Sequence, residues 1–143
     1  MIVLARAFYR NGNLAEAVAV TDEIEAKAPG CAAVLLNRAF FAALRMNHRE
    51  MIERYDELRR LPISATDINL LDVHDFLLEE ARCAPENLGL VFASGMVRRL
   101  YDERGARHDF ETFLKKSARG YRWGLLRTRA DRELGALRGK RCG

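Results

Sequence analysis

The stretch LLDVHDFLL sets His74 two residues after Asp72 and directly before Asp75, so an imidazole and two carboxylates share a few residues of chain. Such a group could move a proton or hold a metal ion. A helical zinc site needs two histidines four apart, as in H-E-x-x-H, and His74 has no such companion. His48 and His108 stand close to turn signals and lack companions too. The expectation is an ordinary histidine on a helix surface or partly buried. Cys31 and Cys83 are expected to act as small buried hydrophobes, since no His or Asn constellation would make either a nucleophile, and Cys142 to be exposed. The paired acids Asp22 and Glu23, like Glu79 and Glu80, read as solvated helix faces. No G-x-x-x-x-G-K-[ST], G-x-G-x-x-G or G-x-S-x-G occurs, which leaves a nucleotide, dinucleotide or hydrolase site without a foothold. The expectation is a protein that is no enzyme and holds no metal or cofactor.

The chain that would position such residues has 143 of them, enough for a single domain, 1–143, with a continuous core. Three cysteines, with no CxxC, suggest neither a disulfide framework nor a zinc knuckle and fit a reducing cytoplasm. No segment approaches the roughly 18 apolar residues of a membrane span, and MIVLARAFY lacks the marks of a leader. A soluble cytoplasmic protein is expected. The net charge of +4 conceals an asymmetry. Residues 96–143 carry 14 Lys and Arg against 6 Asp and Glu, a net of +8, and the rest of the chain carries a net of −4.

Only three prolines, Pro29, Pro62 and Pro85, interrupt a sequence rich in good helix formers, and no alternating apolar segment of strand length stands between turn signals. An all-α protein of about seven or eight helices is the expectation. Leu4, Ala7 and Phe8, then Leu14, Ala17, Val18 and Ile24, keep helical spacing on both sides of Asn11-Gly12-Asn13. Gly12 can take the left-handed conformation that ends one helix, and Asn13 can cap the next with Glu16 three residues on. A shift of 34 residues carries Asn13 onto Asn47, Glu16 onto Glu50, Val18 onto Ile52 and Ile24 onto Leu58. The second hairpin, 32–44 and 48–61, closes at Pro62 as the first closes at Pro29. Beyond it one helix should start from Ser64 or Thr66 and bury Ile68, Leu71, Phe76 and Leu78; another should run from about 86 to 104. A last helix, about 121–137, carries Trp123, Leu126, Ala130, Leu134 and Leu137 on one stripe, and the tail 138–143 should fray.

These units resemble tetratricopeptide repeats (TPR), antiparallel helix pairs of 34 residues with small residues where the helices cross. Ala5, Gly12, Ala17 and Pro29 stand at signature positions of the first unit, about 2–30, with Phe8 at an aromatic one. Ala39 and Pro62 match in the second, 32–62, where Met46 replaces the turn glycine. A weaker third unit, 90–116, sets Tyr101, Gly105 and Phe110 against Phe8, Gly12 and Ala17. The resemblance implies antiparallel hairpins stacked as a short TPR-like α-solenoid with a terminal capping helix. Met1 falls inside the first unit's first helix, so the chain is either a fragment or completed there by a partner.

The resemblance further implies a non-catalytic module that binds a peptide or protein surface in a concave groove. Arg6, Tyr9 and Arg10 of the first unit and Leu36, Phe40 and Ala43 of the second would line it; Leu36 and Phe40 have core packing as their other reading. A second expectation is that the basic third binds nucleic acid through Arg119, Arg122, Arg127, Arg129 and Arg132, with Tyr121 and Trp123 to stack, or an acidic partner through the same charge. A third is an accessory domain of a larger enzyme.

Overall fold

The computed structural model describes residues 12–62 and 68–139. Among them the chain is all-helical, with α1 (Leu14–Lys27), α2 (Ala32–Leu44), α3 (His48–Arg59), α4 (Leu70–Cys83), α5 (Gly89–Arg98), α6 (Glu103–Lys116), a 3-10 turn (Tyr121–Trp123) and α7 (Gly124–Gly139). The all-α expectation holds for these residues.

Four helix starts are made the same way, that of α4 by Asn69 with the N–H of Asp72 at 3.3 Å. Asn13, Asn47 and Asp102 each accept a hydrogen bond from the backbone N–H three residues on, at 3.1, 3.3 and 3.0 Å, which satisfies one of the donors a helix start leaves over. In the first two units the residue before the cap turns the chain. Gly12 has φ of 78° and Met46, at the matching place, φ of 60°. The 34-residue shift therefore holds at the backbone, although a methionine has taken a conformation that suits glycine.

Two expectations about helix limits are corrected. The Ser64 and Thr66 caps lie outside the described residues, and α4 starts instead at Asn69, whose side chain accepts from the N–H of Leu71 and Asp72. The helix expected over 86–104 is two helices' worth of chain: α5 stops at Arg98, and Asp102 caps α6.

Asp102 also gives a register for the stretch 90–116 that differs from the expected one. Four residues after Asn13, Asn47 and Asp102 stand Ala17, Met51 and Ala106, all fully buried, and eight after stand Thr21, Tyr55 and Phe110, all buried. In this register the counterpart of Ala17 is Ala106, one helical turn before Phe110. A small residue is present at that position after all. Asn47 follows Asn13 by 34 residues, but Asp102 follows Asn47 by 55, and the excess houses α4.

The centre of the molecule is α5, GLVFASGMVR, which packs against α2, α3, α4, α6 and α7. Every residue from Leu90 to Val97 except the half-buried Val91 is buried, as expected of a helix that is apolar all round. Small residues let neighbours approach it: a Cβ on Gly95 would lie 2.8 Å from the Phe110 ring. Phe92 meets the rings of Phe110 and Phe113 at 5.8 and 5.6 Å between centroids. At the far side, Trp123, Leu126, Ala130, Leu134 and Leu137 are all buried, so the apolar stripe of the last helix is the one expected. On α4 the buried stripe is instead Val73, His74, Phe76 and Leu77, and Leu71 and Leu78 face outward, because α4 is covered from one side only.

Two substitutions test the turns and crossings. Gly95→Ala should destabilise the protein by about 1–3 kcal/mol, because the added methyl must displace a buried ring. Met46→Gly should stabilise it by up to about 1 kcal/mol, because the left-handed strain vanishes and little buried surface is lost. Urea unfolding of the two variants beside wild type measures both.

Candidate functional site

The positions expected to line a groove divide in two. Arg6, Tyr9 and Arg10 lie outside the described residues. Leu36, Phe40 and Ala43 are 2, 7 and 0% exposed, so in the second unit the core reading is the one observed. The reason is α4 and its exit: the Phe76 ring meets Phe40 edge-on at 5.0 Å, and the Asn87 side-chain amide donates to the Ala43 carbonyl at 3.1 Å. Chain between α3 and α6 covers the face where a ligand was expected.

His74 is buried, not partly exposed: it is 1% accessible, and its Nε2 lies 3.0 Å from Oδ2 of Asp109 on α6. Oδ1 of the same carboxylate accepts from Arg98 at 3.4 Å. The chain spacing to Asp109 hid this pair. The group pins α4 to α6, and among the described residues no three His, Cys, Asp or Glu side chains gather as a metal site. Asp72 and Asp75, its neighbours in sequence, face solvent. Cys31 is half-buried and Cys83 is exposed, so the expectation of a buried Cys83 is corrected.

The five arginines of the expected basic patch do different things. Arg129, 6% exposed, forks onto both oxygens of Asp56 and also donates to Glu133 at 3.2 Å. Arg59 donates to the same Glu133 oxygen at 2.7 Å, and Arg99 stands 3.5 Å from the other one, close enough to pair but not aligned to donate. Burial alone would raise the Glu133 pKa; the hydrogen bonds and charges of Arg59 and Arg129 outweigh it and hold the carboxyl below its ordinary value. Asp56 is likewise held low, its partial burial outweighed by Arg129. Arg127 donates to the Leu114 carbonyl and the Ser117 hydroxyl, both at 2.7 Å, and so satisfies the end of α6. Arg129 and Arg127 are therefore structural, and their assignment to an open patch is corrected.

Arg119, Arg122 and Arg132 remain exposed, and Lys115 and Lys116 join the first two across the α6–α7 corner. Within this corner Tyr121 is 98% exposed and Leu125 48%, whereas Trp123 is 4% exposed and stacked on His48 at 5.3 Å. Trp123 is thus removed from any stacking role and Tyr121 retained. The sequence held one usable signal for this split: Trp123, unlike Tyr121, falls on the apolar stripe of the last helix.

Among the described residues no helix is long and apolar enough to cross a membrane. Compared with known proteins, no family model matches the chain, and neither a curated protein nor a solved structure matches it. Among the described residues, fold and surface together define a set of mutually packed helices with a basic corner that carries an exposed aromatic ring.

Arg129→Ala should cost about 2–4 kcal/mol, since it leaves Asp56 and the buried Glu133 short of a partner, whereas Arg122→Ala should stay within about 0.5 kcal/mol of wild type. Chemical denaturation distinguishes them. A pH dependence arises from His48, whose Nε2 is buried without a hydrogen-bond partner and whose pKa burial lowers. The unfolded chain then takes up a proton near pH 6.5 that the folded one resists, so stability from this residue is present above that pH and falls below it. His48→Phe keeps a ring on Trp123 and removes the titration. Unfolding at about pH 8 and about pH 5.5 should show a smaller loss for the variant than for wild type.

Proposed function

We propose that this chain is a non-catalytic TPR-like module that binds an acidic protein surface at the corner between α6 and α7. The repeat reading is supported by the left-handed turn that Gly12 and Met46 make before the caps Asn13 and Asn47, and by buried small residues eight positions before Asn47 and Asp102, Ala39 and Ser94. Its hairpins are α2 with α3 and α5 with α6, and their first helices, α2 and α5, pack side by side, as successive repeats do. In this reading α4 is an insertion that occupies the groove of the second unit, and the terminal helix α7 caps the third.

The single observation that carries the choice of site is Tyr121. A ring 98% exposed disturbs water around a free monomer for no packing gain, and here it lies in the chain between Arg119 and Arg122, shortly after Lys115 and Lys116, all four exposed and none in an ion pair among the described residues. Tyrosine supplies contact area at small entropic cost and arginine forks onto carboxylates. Leu125 adds an apolar edge beside them. That mixture suits a protein surface with carboxylates around an apolar patch. Phosphate alone would need no leucine.

The test is capture of partners from a lysate by wild type and by Arg119→Glu/Arg122→Glu, with and without nuclease, followed by titration of the captured partner. A nuclease-resistant partner that binds the variant at least tenfold more weakly, with a shallower salt dependence, is expected. Loss of capture on nuclease treatment would transfer the corner to nucleic acid, and unchanged affinity would move the site elsewhere. Arg129 is left untouched, since its replacement would damage the fold.

A further inference from the structure

The outer face of α4 is the counterpart of that corner. Leu71 and Leu78, 55 and 43% exposed, lie seven residues apart and so on one side of the helix, with the exposed Asp75 between them. Asp72 and Glu79 flank the row, and Arg82 of the same helix is held by Glu79 at 3.0 Å. Two exposed apolar side chains set among carboxylates thus stand on α4, and two set among cations, Tyr121 and Leu125, stand at the start of α7. Both helices pack on α5.

Resting on the reading of the corner as a site for an acidic protein surface, we infer that one such surface is the α4 face of a second copy of this chain. The contact is head-to-tail: the basic corner of one molecule seats on α4 of the next, with Arg122 toward Asp75 and the tyrosine and leucines sharing the dry centre. Because the two faces differ, the contact does not close on itself as a two-fold dimer does, and successive copies can add until a ring closes or the chain of copies ends. Two short rows bury little area, at or under about 1,200 Å², which makes this a weak, salt-sensitive association rather than a permanent one.

Sedimentation at about 100 µM protein in about 50 mM and about 500 mM salt tests it, the longer screening length at low salt favouring the complementary faces. Wild type should gain mass with concentration at low salt and lose at least tenfold in association at high salt. Asp75→Lys/Leu78→Lys and Arg122→Glu/Leu125→Glu, each exposed and each retaining its helicity, should both be monomers. An equimolar mixture of the two should form dimers and nothing larger, since one variant keeps its basic corner and the other its acidic face. A monomeric wild type at low salt, variants that still associate, or a mixture that stays monomeric would overturn the inference. If capture of a different partner still depends on Arg119 and Arg122, only the self-contact has failed; if that dependence is absent too, the corner itself has.

Discussion

Burying α5 on every side is the constraint that dictates the rest of the architecture. A helix with no solvated face needs neighbours all round, and five other helices supply them. Small side chains permit close approach where two axes meet, at Ala93, Ser94 and Gly95, each buried, with Phe110 filling the space that Gly95 leaves. Such a core is apolar and close-packed, so volume changes there are felt directly. Ser94, the polar side chain within its buried run, returns its hydroxyl to the Val91 carbonyl at 2.6 Å and needs no outside partner.

Around that core, the charged network of Asp56, Arg59, Arg129 and Glu133 has a different task. Buried ion pairs give little net stability, because removing two charges from water offsets most of their attraction. What they supply is selection among packings, since any register of α7 on α3 that leaves Glu133 without Arg59 and Arg129 strands a buried carboxylate. Apolar stripes alone would tolerate a slip of the last helix. The lowered pKa of Glu133, despite a burial that opposes it, shows how completely its partners compensate. His74 and Asp109 do the same for α4, which has otherwise only one covered face.

What can be read from the chain divides along physical range. Local rules are visible: the caps at Asn13 and Asn47, the left-handed turn at Gly12 and the apolar stripe of the last helix depend on residues a few positions apart. The 34-residue shift is visible because the caps Asn13 and Asn47 are each followed three residues on by a glutamate. Matching Gly105 to Gly12 differs by one helical turn from the register that the cap, Asp102, gives. Spacing also puts Leu71 and Leu78 inside, because an apolar residue at helical spacing carries no mark of how many sides of its helix are covered. The fates of Arg127 and Arg129 depend on Leu114, Ser117 and Asp56. Partners 10 to 73 residues away are set by packing, not by spacing.

If α4 is an insertion within a repeat, as proposed, it changes which surface is available to a partner. A groove between hairpins is a concave apolar surface, and an apolar concavity is a favourable place for any amphipathic helix the same chain can deliver to it at high local concentration. With α4 beside α2, Phe40 meets Phe76, and Leu36, Phe40 and Ala43 become core. The surface that bears on the proposed role is the part that no core demand explains. Trp123 shows the contrast within three residues: its ring is buried on His48, so packing accounts for it, whereas Tyr121 is too exposed to contribute to the fold. Cations that are paired for structural reasons carry no information about partners. Once Arg127 and Arg129 are assigned to α6 and α3, Arg119 and Arg122 are left as the exposed cations on either side of Tyr121 in the chain.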